Sequence, residues 1–457
     1  MTRELFLSNS TIENISNKDS SFAASLKAMK DVYHPVKNPS GVLNLGVALN
    51  VLQEDILYNK DLEYGNACGS EELRYVASMI INKYFNPSNI VNSSQLIITN
   101  GLNSAIDKLS SVICNPGDAV LISEPYHAPF VDIVNLVAKA VVHGVPVPPC
   151  EIQSPSQVNY YESKYRELSR LGITVKMIIL CNPHNPTGKV YSRAALEAIL
   201  RFANKYDIYV IFDEIYALSV YRSPTENIIN LIDTPNGYFN DLYTFESVLS
   251  FDNLDELIDP RLIVVVHGTS KDFCMHGFKV GWIISPFNPD IIKALTKISP
   301  FSYISALTDR IVTSILSDAE FIDYFIKTVN YNLYQNYIKT TTFLDKKGIF
   351  YIPAQAGLFI MVDIKPFLLI WKNNHLKTNE SMLKSTKDLT FEDEQQLWIA
   401  SIERGRIYYS PGVNFKAHEP GWIRLVFSQP WDSLKLGLER LIEFFENDSS
   451  IYLGASI

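Results

Sequence analysis

Cysteine is scarce in this chain: Cys68, Cys114, Cys150, Cys181 and Cys274 are scattered, with no C-x-x-C pair among them. That argues against a disulfide scaffold or a thiolate zinc site and fits a reducing compartment. No H-x-x-x-H pair occurs among the eight histidines, so nothing points to a metal. No apolar run approaches the ~18 residues of a membrane span. The opening stretch, MTRELFLSNSTIENISNKDS, breaks every apolar run within a few residues and cannot be the apolar core of a signal peptide. A long basic block is also missing, and the net charge of −9 argues against general affinity for nucleic acid. The expectation is a cytoplasmic protein whose partners are neither membrane nor nucleic acid.

What is present suits a large buried core. The 457 residues are 47% hydrophobic and 19% charged, ordinary values for a globular chain. Short β-rich runs recur: QLIITN (95–100), AVLIS (119–123), VKMIILC (175–181), IYVIF (208–212), LIVVV (262–266) and VGWIIS (280–285). Between most of them lie segments of helical spacing, such as SAIDKLSSVI and RAALEAILRFANKY. Strands apolar on both faces, alternating with helices, predict an α/β fold with a mainly parallel sheet covered on both sides. From about residue 310 the chain turns mostly helical, then mixed, with a polar stretch at 372–390 expected to be a solvated loop. The expected organisation is an N-terminal segment (1–60) serving the smaller domain and dimer contacts, a large domain (61–315) and a small α+β domain (316–457).

In such sheets ligands bind beyond the carboxyl ends of the strands. Gly101, Leu102, Asn103 and Ser104 follow IITN at a helix start that suits an anion. Asn182 and Asn185 lie in the turn NPHNPTG, Asp213, Glu214 and Tyr216 follow IYVIF, and Gly268, Thr269, Ser270 and Lys271 follow LIVVV. Each alone has an ordinary explanation: a turn, a helix cap or a surface lysine. Together they meet the needs of pyridoxal phosphate: a phosphate cradle, a carboxylate for the pyridine nitrogen, a phenol and an amide for the ring oxygen, and an amine to form a Schiff base. Lys279 would add a cation beside the phosphate.

NPHNPTG, FDEIY, SKDFCMHGFKVGW and SPGVNF…EPGWIRLVF resemble the class I/II aminotransferases of fold type I, closest to the branch of 1-aminocyclopropane-1-carboxylate synthase. The likeness runs from about residue 38 to about 428. It implies a large domain built on a mostly parallel seven-stranded sheet, with Lys271 as the Schiff-base lysine and proton shuttle. It further implies Asp213 at the pyridine nitrogen, Asn185 and Tyr216 at the ring oxygen, and Leu102, Asn103 and Ser270 at the phosphate. Arg424 would clamp the substrate α-carboxylate, and Asn185 and Leu49 would also belong to the substrate site. His127, beside Tyr126, takes the place of the ring-stacking aromatic. Tyr64 would reach the phosphate of a neighbouring subunit, which implies a homodimer with shared sites.

Several positions depart from the family pattern. Lys279 stands where arginine is usual, Gly268 where a phosphate-binding serine is usual, and Cys274 where glycine is usual. In the synthases a glutamate lies near the substrate; here that position is Leu49, which cannot attract a sulfonium. Their tyrosine before the loop glycine is replaced by Ala67 and Cys68. These changes argue against cyclopropane formation. The leading expectation is an aminotransferase acting on an α-amino acid, with the pocket departures pointing to a specialised substrate. The alternatives are elimination of a β or γ substituent, as in a carbon–sulfur lyase or synthase, and a non-catalytic relative.

Overall fold

Runs that are apolar at every position cannot keep a face in water, and here they form the middle of one sheet. The computed structural model describes residues 7–9, 11–12, 36–40, 64–148, 151–152, 154–220, 245–375 and 382–450. Strands β1 (Leu96–Thr99), β2 (Ala119–Ser123), β4 (Val175–Cys181), β5 (Tyr209–Asp213), β6 (Ile263–Gly268) and β7 (Gly281–Ile284) are buried at almost every residue. With β3 (Val141–Val145) they make a seven-stranded sheet of order β1-β7-β6-β5-β4-β2-β3. Strand β7 runs antiparallel to both its neighbours, and the β6-β5-β4-β2-β3 pairings are parallel. Helices cover the sheet by the same apolar logic. In Arg193–Lys205, Ala195, Leu196, Ile199, Leu200, Phe202 and Ala203 recur at helical spacing and are buried, and Ser192 caps the start by accepting from Ala195 N.

A second sheet is antiparallel, order β10-β11-β9-β8, from β8 (Tyr351–Ile352), β9 (Phe359–Asp363), β10 (Ser410–Pro411) and β11 (Trp422–Val426). It has its own hydrophobic core, reaching from Leu333 to Phe445, whereas the first core ends at Ile326. The handover falls inside the helix Ala319–Lys346. Leu7 and Ser8 pack on the larger core, where Ser8 N donates to Val112 O at 3.0 Å.

Of the polar stretch 372–390, the described residues, 372–375 and 382–390, are more than a solvated loop. Its first residues complete the helix Lys365–Asn374, and Asn373 holds the returning chain through both the N–H and the C=O of Leu383. Lys372 reaches Asp393 at 2.8 Å. Polar side chains here are used up by local bonds, which composition alone does not reveal. Among the described residues no helix is long and apolar enough to cross a membrane.

The register sets the site. Cys181 pairs with Asp213, Asp213 with Val266, and Gly268 with Gly281, which also faces Thr99. The carboxyl ends of four strands and the start of β7 thus share one edge.

Candidate active site

Leaving the buried strand β6, the chain curls at once. Thr269 N donates to Val280 O at 3.0 Å and Met275 N returns to Thr269 O at 3.1 Å, so Lys271 stands in a tight turn above the sheet edge. Burial lowers the pKa of its amine, the cations Arg424 and Lys279 lower it further, and Asp213 opposes them. Burial and the two cations thus favour the neutral, nucleophilic form of the amine.

Asp213 ends β5, fully enclosed, and its carboxyl is pushed up to about 7 by burial. Ile215 N donates to Oδ1 at 3.2 Å, and the Cys181 thiol and Lys271 also favour the charged form. Next along the chain, Tyr216 is buried with its ring edge-on to Phe359 at 5.3 Å. Burial raises its phenol pKa strongly, against the pull of Arg424.

Arg424 arrives from β11 and crosses to the large sheet, where its Nη1 donates to Asn185 Oδ1 at 2.9 Å. Phe415 and Phe359 sandwich the guanidinium at 4.5 and 4.9 Å. Its Nε is buried with no hydrogen-bond partner among the described residues. A desolvated guanidinium with one prong engaged and one bare is a receptor for a carboxylate.

The anion end is built by close approach. A Cβ on Gly281 would lie 2.9 Å from Gly101 C and 3.0 Å from Leu102 N, so glycine is what lets β7 lie on the first turn of the helix Gly101–Ile113. Lys279 reaches the same turn, its Cε 3.6 Å from where a Gly101 Cβ would stand. A helix start with a cation over it suits a phosphate. Leu102 packs at the edge of the cluster of Cys181, Ile215, Tyr216 and Phe359, while Asn103 is exposed on that turn and Ser270 is half-buried beside Lys271. Tyr126 N bonds Phe415 O at 2.7 Å, placing His127 between the two sheets. Burial, then Arg424 and Lys271, depress the His127 imidazole to about 4, so it is neutral and can stack.

Lys271, Asp213, Tyr216, Asn185, Arg424 and His127 are therefore brought together, by direct bonds or mutual electrostatics. Tyr64 is not: it is 73% exposed, and its neighbour Gly65 lies against the helix Ala306–Leu316. Leu49 lies outside the described residues. Cys68, whose N–H bonds Asn66 Oδ1 at 2.9 Å, is half-buried. The backbone bears on two departures from the family pattern, explaining the glycine at 268 but not the cysteine at 274. A Cβ on Gly268 would meet Val280 O at 2.7 Å and Gly281 Cα at 2.8 Å, leaving no room for serine. Cys274 has a left-handed φ of 56°, the conformation glycine adopts most cheaply. Cys181, Phe359, Phe415 and the Asp272 side chain were not singled out from sequence. Their signal was position, since Cys181 precedes NPHNPTG, Asp272 follows Lys271 and Phe415 lies inside SPGVNF. Among the described residues no group of three His, Cys, Asp or Glu could hold a metal.

Comparison with known proteins gives a concordant result. A 1-aminocyclopropane-1-carboxylate synthase of Cucurbita maxima is 28% identical over 91% of this chain and 81% of its own. The 1-aminocyclopropane-1-carboxylate synthase-like protein 1 of Mus musculus is 29% identical over 93% and 80%. The solved structure of an archaeal alanine:glyoxylate aminotransferase shares the fold, with a TM-score of 0.67, 22% identity and coverage of 87% and 86%. The family model for aminotransferase class I and II matches residues 51–441. The chain belongs to the class I and II aminotransferases.

Proposed function

We propose that this protein is a pyridoxal-phosphate aminotransferase that converts an α-amino acid to a keto acid. One observation carries the reading: a desolvated lysine, Lys271, stands within electrostatic reach of a buried acid, Asp213, and of a carboxylate receptor, Arg424. The residues present fit the cofactor. Asp213, held up to about 7 by burial alone, regains its charge when a protonated ring nitrogen faces it. Gly281 lets β7 lie against the helix start, which with Lys279 would hold the phosphate.

Bound there, pyridoxal phosphate supplies an electron sink for negative charge at the substrate α-carbon. The chain's own residues do the rest. Arg424, stiffened by Asn185 and the two phenylalanines, orients the substrate through its carboxylate. Lys271 Nζ takes the α-proton; delivering it back at a different carbon gives transamination, whereas departure of a β or γ substituent with its electron pair gives elimination. Tyr216 and Asn185 would offer donors to the ring oxygen, and the neutral His127 would cover the ring face. Apolar walls from Phe359, Phe415 and Ile215 keep water away.

Elimination, including a synthase-like reaction, is the second reading, favoured by the synthases among the relatives. Leu49 and the Ala67-Cys68 pair weigh against cyclopropane formation in particular. A panel of amino donors separates the two. Keto acid formation that requires oxoglutarate or pyruvate as acceptor is expected; release of ammonia, pyruvate or a thiol without any acceptor would replace the first reading with the second.

The same reading includes a homodimer. Tyr64, Phe301 and Leu307 are 73%, 88% and 52% exposed, large side chains that a partner subunit would cover. Sedimentation should give twice the chain mass, and a monomer at micromolar concentration would remove this element of the proposal.

A further inference from the structure

Next to the reactive lysine lies a buried polar pair that the chemistry above does not use. His267, the penultimate residue of β6, and Asp272, the residue after Lys271, both have fully buried side chains. The imidazole Nε2 stands 2.9 Å from Asp272 Oδ2. A carboxylate accepts, so Nε2 carries the proton and donates. Phe85 meets the imidazole edge-on at 5.0 Å, with Trp282 at 5.3 Å and Phe273 at 6.3 Å. His267 Nδ1 has no partner among the described residues. The ring is thus held by apolar walls and one directed bond, and that bond fixes the carboxylate.

What the carboxylate does next is the telling part. Asp272 Oδ2 also accepts from Leu218 N at 2.9 Å, and Oδ1 accepts from Ser219 Oγ at 2.5 Å. Leu218 and Ser219 belong to the turn that starts at Tyr216, closed by Ser219 N to Tyr216 O at 3.0 Å. Ser219 O in turn accepts from Gly357 N at 2.8 Å, two residues before the Phe359 that lies under Arg424. One carboxylate therefore fastens the turn bearing Lys271 to the turn bearing Tyr216, and onward to the strand that supports Arg424.

We infer that His267 and Asp272 are positioning residues: His267 aims the Asp272 carboxylate, and Asp272 sets where the Lys271 amine stands relative to Tyr216 and Arg424. A simple core role would predict only a stability cost, since removing one partner leaves the other buried and unpaired. A positioning role predicts a change in the chemistry of one amine. The inference rests on Lys271 being the reactive lysine, so its test reads that amine separately from cofactor chemistry.

In the cofactor-free protein, competitive labelling of amines by an acylating reagent gives the rate at Lys271 relative to Lys279. His267→Phe keeps the aromatic packing and removes the donor; His267→Gln keeps a donor; Ser219→Ala removes a different bond to the same carboxylate. The expected result is a Lys271/Lys279 ratio changed about threefold or more in His267→Phe, changed in the same direction in Ser219→Ala, and largely restored in His267→Gln. With pyridoxal phosphate and an amino donor, kcat should fall at least about tenfold in His267→Phe while KM changes little, as expected for a misplaced reacting group. Unchanged labelling ratios in folded variants, or a kcat loss that only follows the loss of folded protein, would overturn the inference. If His267→Phe fails to fold, Ser219→Ala decides it alone. Wild-type protein that takes up no pyridoxal phosphate defeats the proposed function, yet leaves the labelling ratio to judge this pair.

Discussion

At the scale of single residues, most of the chemistry is carried by side chains whose neighbours change their ordinary behaviour. Lys279 is the exception, an exposed cation beside the first turn of the helix Gly101–Ile113. An ammonium offers a point charge, whereas a guanidinium offers a planar fork matched to phosphate. Lys279→Arg should therefore tighten pyridoxal phosphate binding by about three- to tenfold, read by equilibrium dialysis against the free cofactor. An unchanged dissociation constant would mean that this side chain points away from the phosphate. Residues of this kind were legible because they are polar where a buried strand ends, an uncommon place for Asp213 or Lys271. Phe359, Phe415 and Cys181 were not, because an apolar side chain in or beside a strand reads as core whether it packs on protein or walls a site.

Among elements, the informative contact is between β6 and β7. The pairing of Gly268 with Gly281 brings two backbones together at the mouth of the site, and both glycines are there for want of space. Gly268→Ser would introduce the residue that the family resemblance leads one to expect, and that resemblance alone would have it help the cofactor bind. The contacts of 2.7 and 2.8 Å at a Gly268 Cβ argue the reverse. Moving β7 aside should cost about 1–3 kcal/mol and weaken cofactor binding, seen as a lower denaturation midpoint with an unchanged m-value. A stabilised variant with tighter binding would contradict this. Six of the seven large-sheet strands could be read directly, since unbroken apolar runs admit few other fates. The seventh, β3 (VVHGV), lies at the sheet edge with most of its residues partly exposed, so its pattern carries neither a continuous run nor a clean alternation. Two-residue strands such as β8 and β10 exist only through their partners, and no local pattern announces them.

For the molecule as a whole, buried acids at the end of β5 link folding to pH. Burial raises the Asp213 carboxyl from 3.8 to about 7 and the Glu214 carboxyl from 4.5 to about 8. A raised acid favours the protonated fold, so this stability is complete below the unfolded values and is lost as pH climbs through the folded ones. His127 and His184, depressed from 6.5 to about 4 and about 3, act oppositely but only below 6.5. Lys108, depressed to about 8, acts above that value. Between pH 6.5 and 8 the acids dominate, and cofactor-free protein should lose about 2–3 kcal/mol, seen as a falling thermal midpoint. Pyridoxal phosphate should remove the Asp213 share, and a flat profile without cofactor would mean that neither acid is held protonated.

The central claim is that one amine, on the turn after β6, is the point of attachment for the cofactor. Mixing the protein with pyridoxal phosphate, reducing with borohydride and mapping the peptides by mass tests it most directly. The account predicts a single reduced adduct on Lys271, absent from Lys271→Ala; an adduct on another lysine, or none at all, would contradict it.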